Sequence, residues 1–244
     1  MQNLKKIKKQ KNKIVLAGGN SPSAFIYFEK GEEMNFLINE YKKEWQFFKT
    51  NMKIMFPVML VLMILLMVLS HYAFLTAFQE DPGLVSKTME IMNEAFSGLD
   101  MIHDSAFMSF VKLFLNNARV CLFCIAFGMI PFLFIPVLYL IVNGGIIGMV
   151  SALGTALGTM SMSYFIAAIV PHGIFEIPAI VYSICLGLYL CICITRTIFG
   201  KAKEPLKDSV LGALRSYCLV MIPMLLVAAF VESYVTMIIA SRFL

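Results

Sequence analysis

The stretch Ile169-Val170-Pro171-His172-Gly173-Ile174-Phe175-Glu176-Ile177-Pro178 sets a histidine and a carboxylate inside one of the longest apolar segments of the chain. Ionisable groups are costly at membrane depth, so a pair of them there marks a packed or functional position. Pro171 and Gly173 bracket His172 and predict a break or bend in the helix, while His172 and Glu176, four residues apart, share a face once the helix resumes. The pattern is that of a polar site built into a membrane helix.

Working outward, the surrounding chain supports a membrane setting. Of its 244 residues, 59% are hydrophobic and only 14% charged, which points to lipid rather than water as the solvent. Residues 54–78 contain no charge, residues 113–158 only Arg119, and residues 161–195 only Glu176. Barrel strands would alternate over about ten residues, whereas these runs are continuous and much longer. The fold class is therefore all-α, a multi-spanning helical membrane bundle with about five transmembrane helices, one of them broken.

The six cysteines, Cys121, Cys124, Cys185, Cys191, Cys193 and Cys218, all fall within these helical runs, which argues against a secreted disulfide framework. The first apolar run begins too far into the chain, and is too long, for a cleavable signal peptide, so it is expected to act as an uncleaved anchor.

Two regions are expected, residues 1–53 and 54–244. The first opens with a basic tail carrying Lys5, Lys6, Lys8, Lys9, Lys11 and Lys13 and no acids before residue 21. Its sequence lacks the interleaved aromatics or recognisable module that nucleic-acid binding requires. From Met34 to Lys53, Leu37, Tyr41, Trp45, Phe48 and Met52 recur at helical spacing and predict an interfacial amphipathic helix.

Charge then orients the chain. Residues 1–53 carry eleven Lys and no Arg, whereas residues 79–109 carry six acids against Lys87 alone, so the N-terminus is expected in the cytoplasm of a multi-pass cell-membrane protein. The connection 79–109 turns at Asp81-Pro82-Gly83 and continues as a helical-looking 84–96, either a partner surface on the outer side or a solvated linker. Spans over 110–128 and 131–151 follow as a tight hairpin. Gly144, Gly148, Gly154 and Gly158 form a small-residue series suited to close helix packing. No Lys-Ser or Lys-Thr follows these glycines, so a phosphate cradle is not indicated.

Residues 164–195 exceed the ~20 residues that one span needs. A half-helix down to Pro171 and a fuller helix from Gly173 absorb the excess. Arg196, Lys201, Lys203 and Lys207 mark a return to the cytoplasmic side, and a fifth span from Ser216 to Ile239 leaves the C-terminus outside.

At ~1.5 Å of rise per residue, the intramembrane polar residues converge on one level in the outer third of the bilayer. They are Asn116, Asn117 and Arg119 on the second span, Asn143 on the third, His172 and Glu176 on the fourth, and Glu232 on the fifth. Three uses are open to such a cluster: a closed network pairing Arg119 with Glu176 or Glu232, a proton or ion path, or a metal held by His172, Glu176 and Glu232. A zinc protease is not indicated, because His-Glu-x-x-His is absent.

The run Asn116-Asn117, Gly128, Asn143-Gly144 with Gly148, Pro171-His172-Gly173-Ile174-Phe175-Glu176 and the late Glu232 resembles the stage II sporulation protein M family. The resemblance covers the membrane part and not the basic arm. It implies a multi-pass membrane protein and, in endospore formers, a scaffold for a peptidoglycan-degrading complex during engulfment of the forespore. It implies no catalytic residue. The expected function is thus a non-enzymatic scaffold without a cofactor or bound metal, with a transporter or channel as the alternative. The expected partners are the lipid bilayer and other membrane or cell-envelope proteins, with no nucleic acid and with homo-oligomerisation left open.

Overall fold

In lipid, uncharged runs of this length must satisfy every backbone amide internally, which leaves only the helix and the closed barrel. The computed structural model describes residues 22–96, 105–158 and 161–240, and among these it contains helices and no strand. The basic tail up to residue 21, and Asp100 and Asp104 of the acidic connection, lie outside the described residues.

The chain divides into two compact units, residues 1–46 and 47–244. The first contributes most of α1 (Pro22–Phe47), on which Leu37, Tyr41 and Trp45 are exposed. Phe48 and Met52, the last members of the same helical stripe, belong to the second unit, where Met52 is completely buried.

The second unit is the membrane bundle. Its helices are α2 (Met55–Glu80), α3 (Gly83–Phe96), α4 (Ala106–Phe127), α5 (Ile135–Ala156), α6 (Met162–Ile198) and α7, a helical run over residues 206–240. Five of them, α2, α4, α5, α6 and α7, are long and apolar enough to cross a membrane, which makes this a multi-pass membrane protein.

Local sequence sets their ends. Ser105 caps α4 by accepting a hydrogen bond from the Met108 amide at 3.3 Å, and Ser161 caps α6 by accepting from Tyr164 at 3.1 Å. The Asp81-Pro82-Gly83 turn closes as its chemistry predicts, with the Gly83 amide donating to Asp81 Oδ1 at 2.9 Å. Between α4 and α5 the chain needs more room than the Gly128–Pro131 turn expected from sequence. Phe132 and Phe134 both take left-handed φ values, 70° and 46°, before Pro136 seats the first turn of α5.

The core is α6, buried on every side from Ala179 to Cys191. Met63 of α2, Cys121 and Cys124 of α4, Leu140 of α5, and Met221 and Leu225 of α7 all pack into the same cluster. Helix α2, in contrast, keeps Val61, Ile64, Leu65, Val68, Leu69 and Tyr72 exposed, an apolar surface suited to lipid tails.

Two glycine contacts set how closely the helices approach. At Gly144 and Gly148 a Cβ would collide with α2, reaching 2.8 Å from Leu66 Cβ and 2.6 Å from Ser70 Cβ. A second crossing, absent from the small-residue series, joins Gly128 to Gly187, where a Cβ on Gly187 would lie 2.6 Å from Pro136 Cγ and 2.8 Å from the Cys124 carbonyl. Gly154 is buried as expected. Gly158 departs from the series: its φ is +65° with open space around it, so it terminates α5 instead of packing.

The expected break in the fourth span does not occur. Pro171 and Pro178 both lie inside an uninterrupted α6 of 37 residues. A proline in a membrane helix removes one backbone hydrogen bond, here the one to the Ala167 carbonyl, and neighbouring helices hold the geometry. Gly173 does not interrupt the helix either. At roughly 55 Å, α6 exceeds the ~30 Å hydrocarbon core, so its length is taken up by tilt or projection.

Irregularity falls instead in α7, which starts ten residues before the expected Ser216. It comprises α-helical Leu206–Ser216, Ile222–Val231 and Met237–Ala240, joined by π turns at Tyr217–Met221 and Glu232–Thr236. Each π turn accommodates an extra residue and re-aims the side chains beyond it.

Candidate functional site

The second π turn carries Glu232 and Thr236, and it faces the half of α6 that carries His172 and Glu176. The three ionisable groups meet there. One ligand-type atom each from His172, Glu176 and Glu232 lies within 4.8 Å of the other two, in a half-buried position. His172 Nε2 stands 4.0 Å from Glu176 Oε2, the i,i+4 pair expected on one helical face.

Neutral groups orient the site. His172 Nδ1 lies 3.3 Å from Thr236 Oγ1, and the Thr236 hydroxyl donates to the Val231 carbonyl at 3.2 Å. Asn117 of α4 lies beside the Glu176 carboxylate, and the Asn116 amide donates to Asn117 Oδ1 at 3.3 Å. Three helices thus converge on one polar site: α6 with two ionisable residues, α7 with Glu232 and Thr236, and α4 with Asn117.

Two residues expected in this cluster are engaged elsewhere. Arg119 is exposed on α4, its guanidinium 5.3 Å from the centre of the Phe123 ring, a cation–π contact rather than a carboxylate pair. Asn143 turns back onto α5 and donates to the Tyr139 carbonyl at 2.8 Å. Asn116 is exposed and reaches the site only through Asn117. An Arg-carboxylate closed network therefore does not describe the cluster, whose charge-bearing members are one imidazole and two carboxylates.

Thr236 is the member that sequence reading missed. Its signal was available, since it follows Glu232 by four residues just as Glu176 follows His172. Hydropathy does not single out a threonine, because a hydroxyl at membrane depth can bond to its own helix.

A separate polar knot holds α6 to the start of α7. The Tyr189 hydroxyl donates to the Glu204 carboxylate, and Ser209 Oγ donates to the same carboxylate at 2.9 Å. Nearby, the Tyr217 hydroxyl of the first π turn donates to the Ala118 carbonyl of α4 at 3.0 Å. These bonds satisfy polar atoms within the bundle and so fix helix register.

Comparison with known proteins adds two findings. The model of the stage II sporulation protein M family, SpoIIM, matches residues 54–237, which is the whole span-bearing part of the chain. The uncharacterized protein MJ0793 of Methanocaldococcus jannaschii is 30% identical over 136 residues, covering 56% of this chain and 75% of that relative. No solved structure matches.

Proposed function

The chain belongs to the stage II sporulation protein M family, and from that premise we propose that it is a non-enzymatic scaffold of the cell membrane that recruits other membrane or cell-envelope proteins. One observation carries the reading. The acidic connection after α2 includes the ordered helix α3, whose Leu84, Val85 and Met92 pack against Phe78 of α2 and Ala152 and Leu153 of α5. Met89, at 40% exposure, and Ile91, at 65%, flank this docked stripe on its two sides, and the outward face between them carries exposed Ser86, Lys87, Glu90, Asn93 and Glu94. A docked helix with a charged outward face and an exposed apolar side chain on each flank is a platform that offers a protein partner both polar contacts and apolar anchors.

The lysine-rich N-terminus and the basic Arg196–Lys207 connection support a cytoplasmic N-terminus, an outward-facing α3 and an outward C-terminus. In a spore-forming host the partners on that side would be the peptidoglycan-remodelling enzymes of engulfment. Crosslinking in native membranes followed by affinity capture tests the platform. A Met89→Ala/Ile91→Ala variant is expected to accumulate normally while capturing about tenfold less partner, the effect of losing ~1.4 kcal/mol of anchoring. Undiminished capture would remove α3 from the interface.

A second reading, a transporter or channel, draws support from the convergence of His172, Glu176 and Glu232 across two spans. Substitution separates the two, because platform and polar site lie on different helices.

A further inference from the structure

We propose that His172, Glu176 and Glu232 bind a single divalent transition-metal cation of the zinc type, which clamps α6 to α7. The tautomer of His172 supplies the first step. The Thr236 hydroxyl hydrogen is given to the Val231 carbonyl, so Thr236 Oγ1 is left to accept from His172 Nδ1–H. The Nε2 lone pair then faces the Glu176 carboxylate at 4.0 Å, and the Glu232 carboxylate completes a triangle of electron-rich atoms. The three together offer a cation one nitrogen and two carboxylate donors.

Distance is compatible with a metal in that role. Zinc bonds to imidazole nitrogen and carboxylate oxygen measure about 2.0–2.2 Å, which puts ligand atoms about 3.3 Å apart in a tetrahedron and further apart across wider angles. Ligand atoms within 4.8 Å of one another are therefore close to a coordination shell, needing inward movements of about 1 Å by side chains that already converge.

The charge also matches. The elements packed around the site contribute His172 and Glu176 from α6, Glu232 and Thr236 from α7 and Asn117 from α4, while Arg119 lies over Phe123. Two carboxylates and a neutral imidazole neutralise a divalent cation, so the loaded site carries no net charge into lipid. Nitrogen-and-oxygen donors of this kind suit Zn(II) and its spectroscopic stand-in Co(II) better than thiolate-loving ions. Thr236 on Nδ1 plays the orienting part that hydrogen-bond partners play around metal ligands, and Asn117 stands beside Glu176.

The test uses the full chain purified in detergent without chelators, with metal content by mass spectrometry and Co(II) titration followed by visible absorption. One equivalent of metal per chain is expected, with Co(II) ligand-field bands that Zn(II) abolishes. Glu232→Gln should lose the bands. Thr236→Val, which keeps all three ligands, should weaken affinity roughly 10–100-fold, and it decides the matter if Glu232→Gln does not accumulate. Arg119→Gln should bind as the parent does. A monodisperse, helical parent that takes up no stoichiometric Zn(II) or Co(II) would overturn the proposal, as would binding unchanged in both Thr236→Val and Glu232→Gln.

Discussion

Gly173 and Gly187 lie on the same helix and answer to different constraints. A Cβ at Gly187 would press into Pro136 and the Cys124 carbonyl at 2.6 and 2.8 Å, whereas one at Gly173 would make ordinary contacts of 3.4 Å with Ile169 and Ile177. Gly187→Ala is therefore expected to destabilise the bundle by about 1–3 kcal/mol, and Gly173→Ala to leave stability unchanged or raise it by about 0.4–1 kcal/mol. Thermal melting of the purified variants checks both, and equal losses at the two positions would contradict the packing described. At this scale the sequence was legible for height and not for direction. Counting residues placed His172, Glu176 and Glu232 at one level, and they meet. The same count placed Arg119 there too, but Arg119 follows Asn117 by two residues and so points about 200° around the helix, away from Glu176. Asn143 reached the right depth and spent its amide on its own backbone. Depth along a helix follows from numbering, while azimuth follows from which neighbour the helix packs against.

Among the elements, α6 shows where a local rule yields to context. Pro171 and the surplus length of the fourth span both suggested a broken helix, and both are absorbed by one continuous helix. In water an interior proline costs a helix ~3 kcal/mol or more, but in a bundle the unfolded alternative would expose backbone to lipid, so the helix persists around the missing bond. Pro171→Ala, which restores a donor for the Ala167 carbonyl, is expected to preserve folding and to leave the melting temperature equal or higher. Collapse of the bundle in that variant would mean that the proline shapes the site. The irregularity that does shape it, the π turn Glu232–Thr236, left no mark in the hydropathy pattern, because a π turn differs from its flanks by one hydrogen-bond step rather than by composition. The α3 helix was visible in advance as a helical stretch after Asp81-Pro82-Gly83. Its docking on Phe78, Ala152 and Leu153 was not, since that depends on where the end of α5 lies.

For the whole molecule, hydropathy was sufficient to read the class: five apolar helices and no strand among the described residues are what uncharged runs of this length require in lipid. The bundle also has two distinguishable ends. The α4–α5 turn and the end of α6 meet through Phe132 and Phe199, whose ring centres lie 6.1 Å apart, while α3 caps the opposite end over Leu153. With the basic connection at the first end, reporter fusions are expected to place residue 203 and the N-terminus in the cytoplasm and the C-terminus outside. Termini on the same side would contradict the five-span path. A scaffold and a conductor share this architecture and differ in what the polar site does. The decisive measurement is proton and cation flux into liposomes containing the purified chain, compared with Glu176→Gln incorporated to the same level. A scaffold gives flux no greater than protein-free liposomes for both proteins; flux in the parent that disappears in a folded Glu176→Gln variant would contradict the scaffold and identify a conducting site.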